Sequence, residues 1–303
     1  MNPHWGEIAA LITAGFWTVT ALTFEAAGRK IGSLVLNLLR LILGFLFLST
    51  FTLIYRGYFL PLDATAEAWF YLLISGLIGF VIGDLCLFQA FVMIGARISM
   101  LIMSLVPPFT ALISWVVLGE TLTLQNWLGM ALTMGGISIV VLKKAERSSR
   151  KGMFHRLQIG LPLVGVLLAL GGAVGQAGGL VLSKFGMKQY DAFAASQIRI
   201  LAGIFGFVMI FTLLRRWRDL FLAFTFRKAM LQMSLGAFFG PFLGVSFSLI
   251  AVKYAPAGVA ATLMSIVPVL IIAPSALFLK EKVTLKEVIG AVIAVGGVTL
   301  FFL

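Results

Sequence analysis

Three charged side chains lie deep inside long apolar runs: Arg40 between Ser33 and Tyr55, Asp84 between Ala68 and Met93, and Arg199 between Ala192 and Leu214. A charge at that depth in hydrocarbon costs at least about 2.5 kcal/mol and faces a partner or a wet cavity. Asp84 and Arg40 share a depth, so an ion pair between them is expected. The two arginines also suit a carboxylate, which leans toward amino acids or organic anions as small-molecule substrates. Asp84 is the candidate for coupling solute movement to protons, with a structural counter-ion as the alternative.

Pro107, Pro108 and Pro268 fall near the middle of two other apolar runs, where proline removes a backbone hydrogen bond. Ser104 and Ser265 stand one turn ahead of these breaks. Interrupted helices at matching depth point to a transport cavity, and a kink used only for packing is the rival reading. Gln89, Gln176 and Gln197 are uncharged and polar at membrane depth, and each reads as an interhelix hydrogen bond or a ligand contact. Trp17, mid-run in GFWTVT, reads as cavity wall or core. The single Cys86 rules out an internal disulfide and reads as a small buried side chain. His4 and His155 have no metal-site or nucleophile–base spacing, so no cofactor, metal or enzyme chemistry is expected.

The elements that must position these groups follow from composition. The 303 residues are 61% hydrophobic and 11% charged, with a mean hydropathy of +1.08, too apolar for a water-facing surface. Ten runs of about 20 residues predict ten transmembrane helices, and the runs lack the alternation of barrel strands. The expected fold is an all-α integral membrane bundle. The formal net charge of +12 sits in the connections, where it reads as a topology signal and a match to the lipid bilayer's anionic headgroups rather than as nucleic-acid binding. No basic n-region with a cleavage site opens the chain, so the first span reads as retained.

The chain is one unit written twice. MSLVPP at Met103 and MSIVPV at Met264 are offset by 161 residues, and that offset makes 13 of 40 positions from Met103 to Leu142 identical to their partners. Residues 1–142 and 158–303 each hold five spans, divided by a basic linker at 143–157. Five is odd, so the second copy enters from the opposite side and the halves are inverted repeats. Small residues every four positions, Ser75, Gly79 and Gly83, Gly171, Gly175 and Gly179, and Gly236, Gly240 and Gly244, predict close helix packing. LLRLILG around Arg40 resembles QIRILAG around Arg199, marking them as repeat partners.

Counting Lys and Arg in the connections gives 17 on the side of the linker against 4 on the other. The positive-inside rule then puts the linker in the cytoplasm and both termini outside. Glu120 and Glu281 end spans 4 and 9, and by themselves read as loop residues that cap or pair locally.

The ten spans, the five-plus-five repeat, the Trp in span 1, the paired Leu-Arg, the mid-helix SLVP and SIVP, and the LGE and KE passages resemble the EamA-type branch of the drug/metabolite transporter superfamily. The resemblance implies a secondary carrier of the cell (inner) membrane, often an exporter of amino acids or other small metabolites, working by alternating access from a central cavity. It matches Glu120 and Glu281 to the family's acidic residue after spans 4 and 9, and Arg40 and Arg199 to its arginines. It also implies cytoplasmic termini, against the charge count, which acts on these particular loops and takes precedence. A membrane-embedded enzyme and a non-transporting scaffold are the readings from other classes. Whether the chain works as a monomer or a homodimer is not encoded in these features.

Overall fold

The computed structural model describes residues 4–151, 163–278 and 283–303, and every regular element among them is a helix. Apolar runs with no water nearby must close their backbone hydrogen bonds internally. Helix α1 (Trp5–Ile31) turns into α2 (Ser33–Arg56) through Gly32 alone, whose φ of +80° allows a one-residue corner. Helix α3 (Ala66–Gly76) starts at Thr65, whose hydroxyl accepts from the Ala68 N–H at 3.2 Å. It runs on through a π-helical segment, Leu77–Gly83, into α4 (Asp84–Met103). A break at Ser104 and Leu105 leads to α5 (Val106–Leu118), and α6 (Leu124–Lys151) closes the first half.

The second half repeats the plan with α7 (Leu163–Met187), α8 (Ala192–Leu214), a short α9 (Trp217–Ala223) and α10 (Arg227–Ala237). A second π segment, Phe238–Gly244, leads into α11 (Val245–Tyr254). The break at Ser265 and Ile266 separates α12 (Ala257–Met264) from α13 (Val267–Leu270), which is followed by α14 (Ile272–Phe278) and α15 (Leu285–Thr299). The two π segments are copies, 161 residues apart at both ends. The prolines do what their chemistry requires: in α5 and α13 they occupy the first turn, where a missing N–H breaks no helical bond.

Among the described residues eight stretches are long and apolar enough to cross a bilayer, against the ten expected. The proline break leaves α5 with 13 residues and α15 has 15, both below the roughly 17 needed to span. The boundary expected near Arg97 is helical, because α4 runs through it. Helix α6 continues past Leu142 into the basic linker as far as Lys151, and linker residues 152–157 lie outside the described residues. Cys86 is half-buried rather than buried.

Helices α6 and α15 meet as rotated copies of one another. A Cβ on Gly136 would strike the backbone of Ala294 and Gly290, and one on Gly297 would strike that of Thr133 and Gly129. These positions pair at the repeat offset of 161, so each contact has its counterpart across an axis through Thr133 and Ala294. Early positions of one helix touch late positions of the other, so the two run antiparallel. At the axis the Thr133 hydroxyl donates to the Ala294 carbonyl at 3.4 Å.

The glycine ladders join the halves elsewhere. A Cβ on Gly179 would lie 3.0 Å from the Gly79 Cα, and one on Gly175 would lie 3.0 Å from the Gly83 Cα, so α7 rests backbone to backbone on the first π segment. Helix α1 rests in the same manner on the second, with Thr20 over Gly240 and Trp17 over Gly244. The first helix of each half therefore packs on the π segment of the other.

Candidate functional site

A buried ion pair forms where α4 leaves the first π segment. Arg40 Nη2 on α2 donates to Asp84 Oδ2, and the other carboxylate oxygen accepts from Gln176 Nε2 on α7 at 2.9 Å. Asp84 is 6% exposed. The same Gln176 amide donates to the Gly79 carbonyl at 3.2 Å, tying the carboxylate to the π segment.

Arg199 approaches that segment from α8. Its Nε donates to Ser75 Oγ at 3.1 Å and its guanidinium lies 4.9 Å from the centre of the Phe80 ring. One of its terminal nitrogens, Nη2, is 3.5 Å from where a Gly79 Cβ would stand, so glycine gives the cation room beside the backbone. Ser183 of α7 packs its hydroxyl 3.2 Å from that of Ser75. Residues of both halves thus converge on Leu77–Gly83; Ser75, which in the sequence stands out only as small, and Ser183, which does not stand out there, are part of the polar network.

Among the described residues the second π segment carries no comparable network. The Arg40–Arg199 pairing shifts the offset to 159 in the first two helices of each half, and the same shift pairs Trp17 with Gln176. Both stand at equivalent glycines: a Cβ on Gly83 would lie 3.4 Å from Gln176 Nε2, and one on Gly244 would lie 2.6 Å from Trp17 Nε1. Val245, buried, takes the place of Asp84. One of two equivalent positions is ionic and the other is filled by an indole.

The remaining residues singled out from the sequence lie apart. Gln197 is buried and donates to Ser49 Oγ at 2.9 Å and to the Phe59 carbonyl at 3.0 Å, and its own carbonyl oxygen has no partner among the described residues. Gln89 is exposed. Ser104 and Ser265 occupy the two helix breaks, half-buried, and Ser265 donates to the Thr262 carbonyl at 2.7 Å. Pro107 is buried and Pro268 half-buried.

Glu120 does not pair locally. It forms an ion pair with Lys184 of α7 and accepts from the Ala257 N–H at 2.8 Å, capping α12 of the other half. Gly119, at φ +68°, ends α5 just before it. Sequence spacing gives no hint of partners this distant along the chain. Glu281 lies outside the described residues.

Glu120 is one of several ties between the halves at this end of the molecule. Lys188 pairs with Glu67 at 2.8 Å, and Tyr190 donates to Asp63 at 2.8 Å while accepting from Arg56 at 3.3 Å. Beside them a cavity of about 360 Å³ opens between α1, α2, α8 and α11, walled by Trp5, Phe51, Tyr55 and Phe193 with Asp191 and Lys253. It does not contain the buried ion pair: Phe51 lies eleven residues beyond Arg40 on α2, about 16 Å of helix rise.

Burial pushes the Tyr190 phenol up to about 12 from 10.0. Burial acts upward on Asp63 as well, but hydrogen bonds from Tyr190 and Arg56 prevail and hold its carboxyl below the usual range. A raised pKa stabilises the fold below the unfolded value and loses that contribution as pH rises through the folded one. Tyr190 is therefore expected to steepen the loss of stability between pH 10 and about 12. Melting temperatures over that range should fall less in Tyr190→Phe than in the wild type, and equal slopes would remove Tyr190 from the effect.

No curated protein matches the chain. Among solved structures 27 chains match, and one described as "Crystal structure of protein" superposes with a TM-score of 0.74 over 98% of this chain and 96% of its own, at 17% identity. At that identity the likeness shows the fold. The sequence matches the EamA-like transporter family over residues 4–142 and again over 163–303, one match for each half. The chain is a multi-pass membrane protein and belongs to the EamA-like transporter family.

Proposed function

We propose that the chain is a secondary transporter of the cell membrane that exports small metabolites, amino acids or organic anions, by alternating access. The observation that carries this reading is the network of Arg40, Asp84 and Gln176, which joins α2 and α4 of one half to α7 of the other at a π segment. Membrane proteins retain ionisable groups at depth where a solute or proton passes, and π turns concentrate at functional sites. Two repeats offset by 161 residues, with α4–α5 and α12–α14 as broken helices, suit a carrier whose halves are inverted and rock about the axis between α6 and α15. The linker side faces the cytoplasm, following the excess of basic residues there.

Asp84 is the coupling group in this scheme. Protonating it would release Arg40 and leave Gln176 with a neutral acceptor, so the tie between the halves weakens when a proton binds. Trp17, Ser104, Pro107, Ser265 and Pro268 form the rest of the pathway, at the second π segment and the two helix breaks.

The test is flux into liposomes of purified protein, with a panel of labelled amino acids and organic acids and with or without a pH gradient. Uptake of one class above empty liposomes, accelerated by the gradient in wild type and indifferent to it in Asp84→Asn, is the expected result. Gradient coupling that survives the substitution removes Asp84 from the role. Chemical turnover of a panel member without movement would favour an enzyme.

A further inference from the structure

The two deep arginines, repeat partners by sequence, differ in one respect. Arg40 has a carboxylate, Asp84. Arg199 has none: among the described residues its hydrogen bond goes to the neutral Ser75 and its ring contact is Phe80. It is 5% exposed, and its terminal nitrogens donate to no described residue. A buried guanidinium offers five donors in a planar fork suited to a carboxylate. Phe80 and a hydroxyl compensate such a charge far less than an anion does.

The nearest cavity lies two turns away along α8. Ala192, which lines the 360 Å³ cavity, lies seven residues before Arg199, two turns along one face of α8 and about 10 Å away. Ser196 lies between them on that face. Lys253 and Asp191, of opposite charge, both line the cavity, and the Lys253 ammonium donates to the Gln189 and Tyr190 carbonyls. Glycine at position 79 leaves room beside the guanidinium that a side chain would fill.

We infer that Arg199 is the anion-recognition group of the molecule: it holds the carboxylate of a small solute, and Arg40, neutralised by Asp84, does not. The inference rests on the transporter reading for its purpose, since it names the substrate's charged group. It predicts one carboxylate per chain, not two, and rejection of neutral isosteres, because an amide leaves the guanidinium charge unmet.

Thermal unfolding of the full chain in detergent, followed by labelling of the single Cys86 with a thiol-reactive dye, tests it without transport. The probes are matched pairs of equal size, acetate with acetamide and benzoate with benzamide. At least one carboxylate is expected to raise the melting temperature where its amide does not, with an apparent affinity at least about tenfold weaker in Arg199→Gln. If Arg199→Gln does not fold, Arg199→Lys keeps the charge but loses the fork, and the same weakening is expected. Lys188→Gln, changed in an exposed pair, retains the protection. Equal protection by amide and carboxylate, protection unchanged in the Arg199 variants, or no protection by any carboxylate would each overturn the inference. Protection without flux in liposomes would keep the anion site and sink the carrier, whereas flux of neutral solutes without protection would do the reverse.

Discussion

Replacing Arg40 by Leu is expected to destabilise the protein by about 3–5 kcal/mol, and replacing Arg40 and Asp84 together by Leu to recover most of that loss. The single change strands a carboxylate that is 6% exposed, with the Gln176 amide as its remaining partner. The double change removes both charges, so neither the desolvation penalty nor the attraction is left. Unfolding of the four proteins of the cycle, in one detergent, reads the coupling directly. A double variant as unstable as the single would mean that the pair is not what the single change breaks.

A second large effect separates neighbouring glycines. Gly136→Ala is expected to destabilise by about 1–3 kcal/mol, because the new methyl meets the backbone of Ala294 and Gly290, which cannot rotate away. Gly135→Ala meets nothing within 4 Å and should stabilise by about 0.5–1 kcal/mol through helix propensity alone. The repeat supplies an independent copy of the comparison: Gly296 is open, and Gly297 is closed by Thr133 and Gly129. Melting temperatures of the four alanine variants should fall into the same two classes in both halves. Similar values for Gly135 and Gly136 would mean that α6 and α15 do not cross where described.

The pair of Arg40 and Asp84 was legible in the sequence because a deep charge demands a partner and few are available at one depth. The helix breaks were legible because proline lacks a donor wherever it stands. Glycine spacing announced close contact, but not that Gly79, Gly83, Gly240 and Gly244 occupy π segments, since the wider turn leaves no mark in a pattern of fours. The equivalence of Trp17 and Gln176 was hidden by a two-residue change of offset between the ends of each half, and by side chains too unlike to align. Glu120 was read as a local group, whereas its partners Lys184 and Ala257 are far along the chain. Long-range partners of that kind are fixed by how the halves dock, and a short motif carries no record of docking.

The crossing at Thr133 and Ala294 has a consequence for how such a molecule arises. Two identical chains meeting on a two-fold axis must offer the same residue from both sides, so every hydroxyl or carboxylate near the axis comes doubled. Joining the copies into one polypeptide lifts that constraint. Thr133 then donates to a carbonyl without a second threonine competing for the space. By the same freedom an acid can stand at position 84 while valine stands at 245. Covalent fusion, with no change of fold, is enough to turn a homodimer's duplicated ionic groups into a single one while the shape stays two-fold.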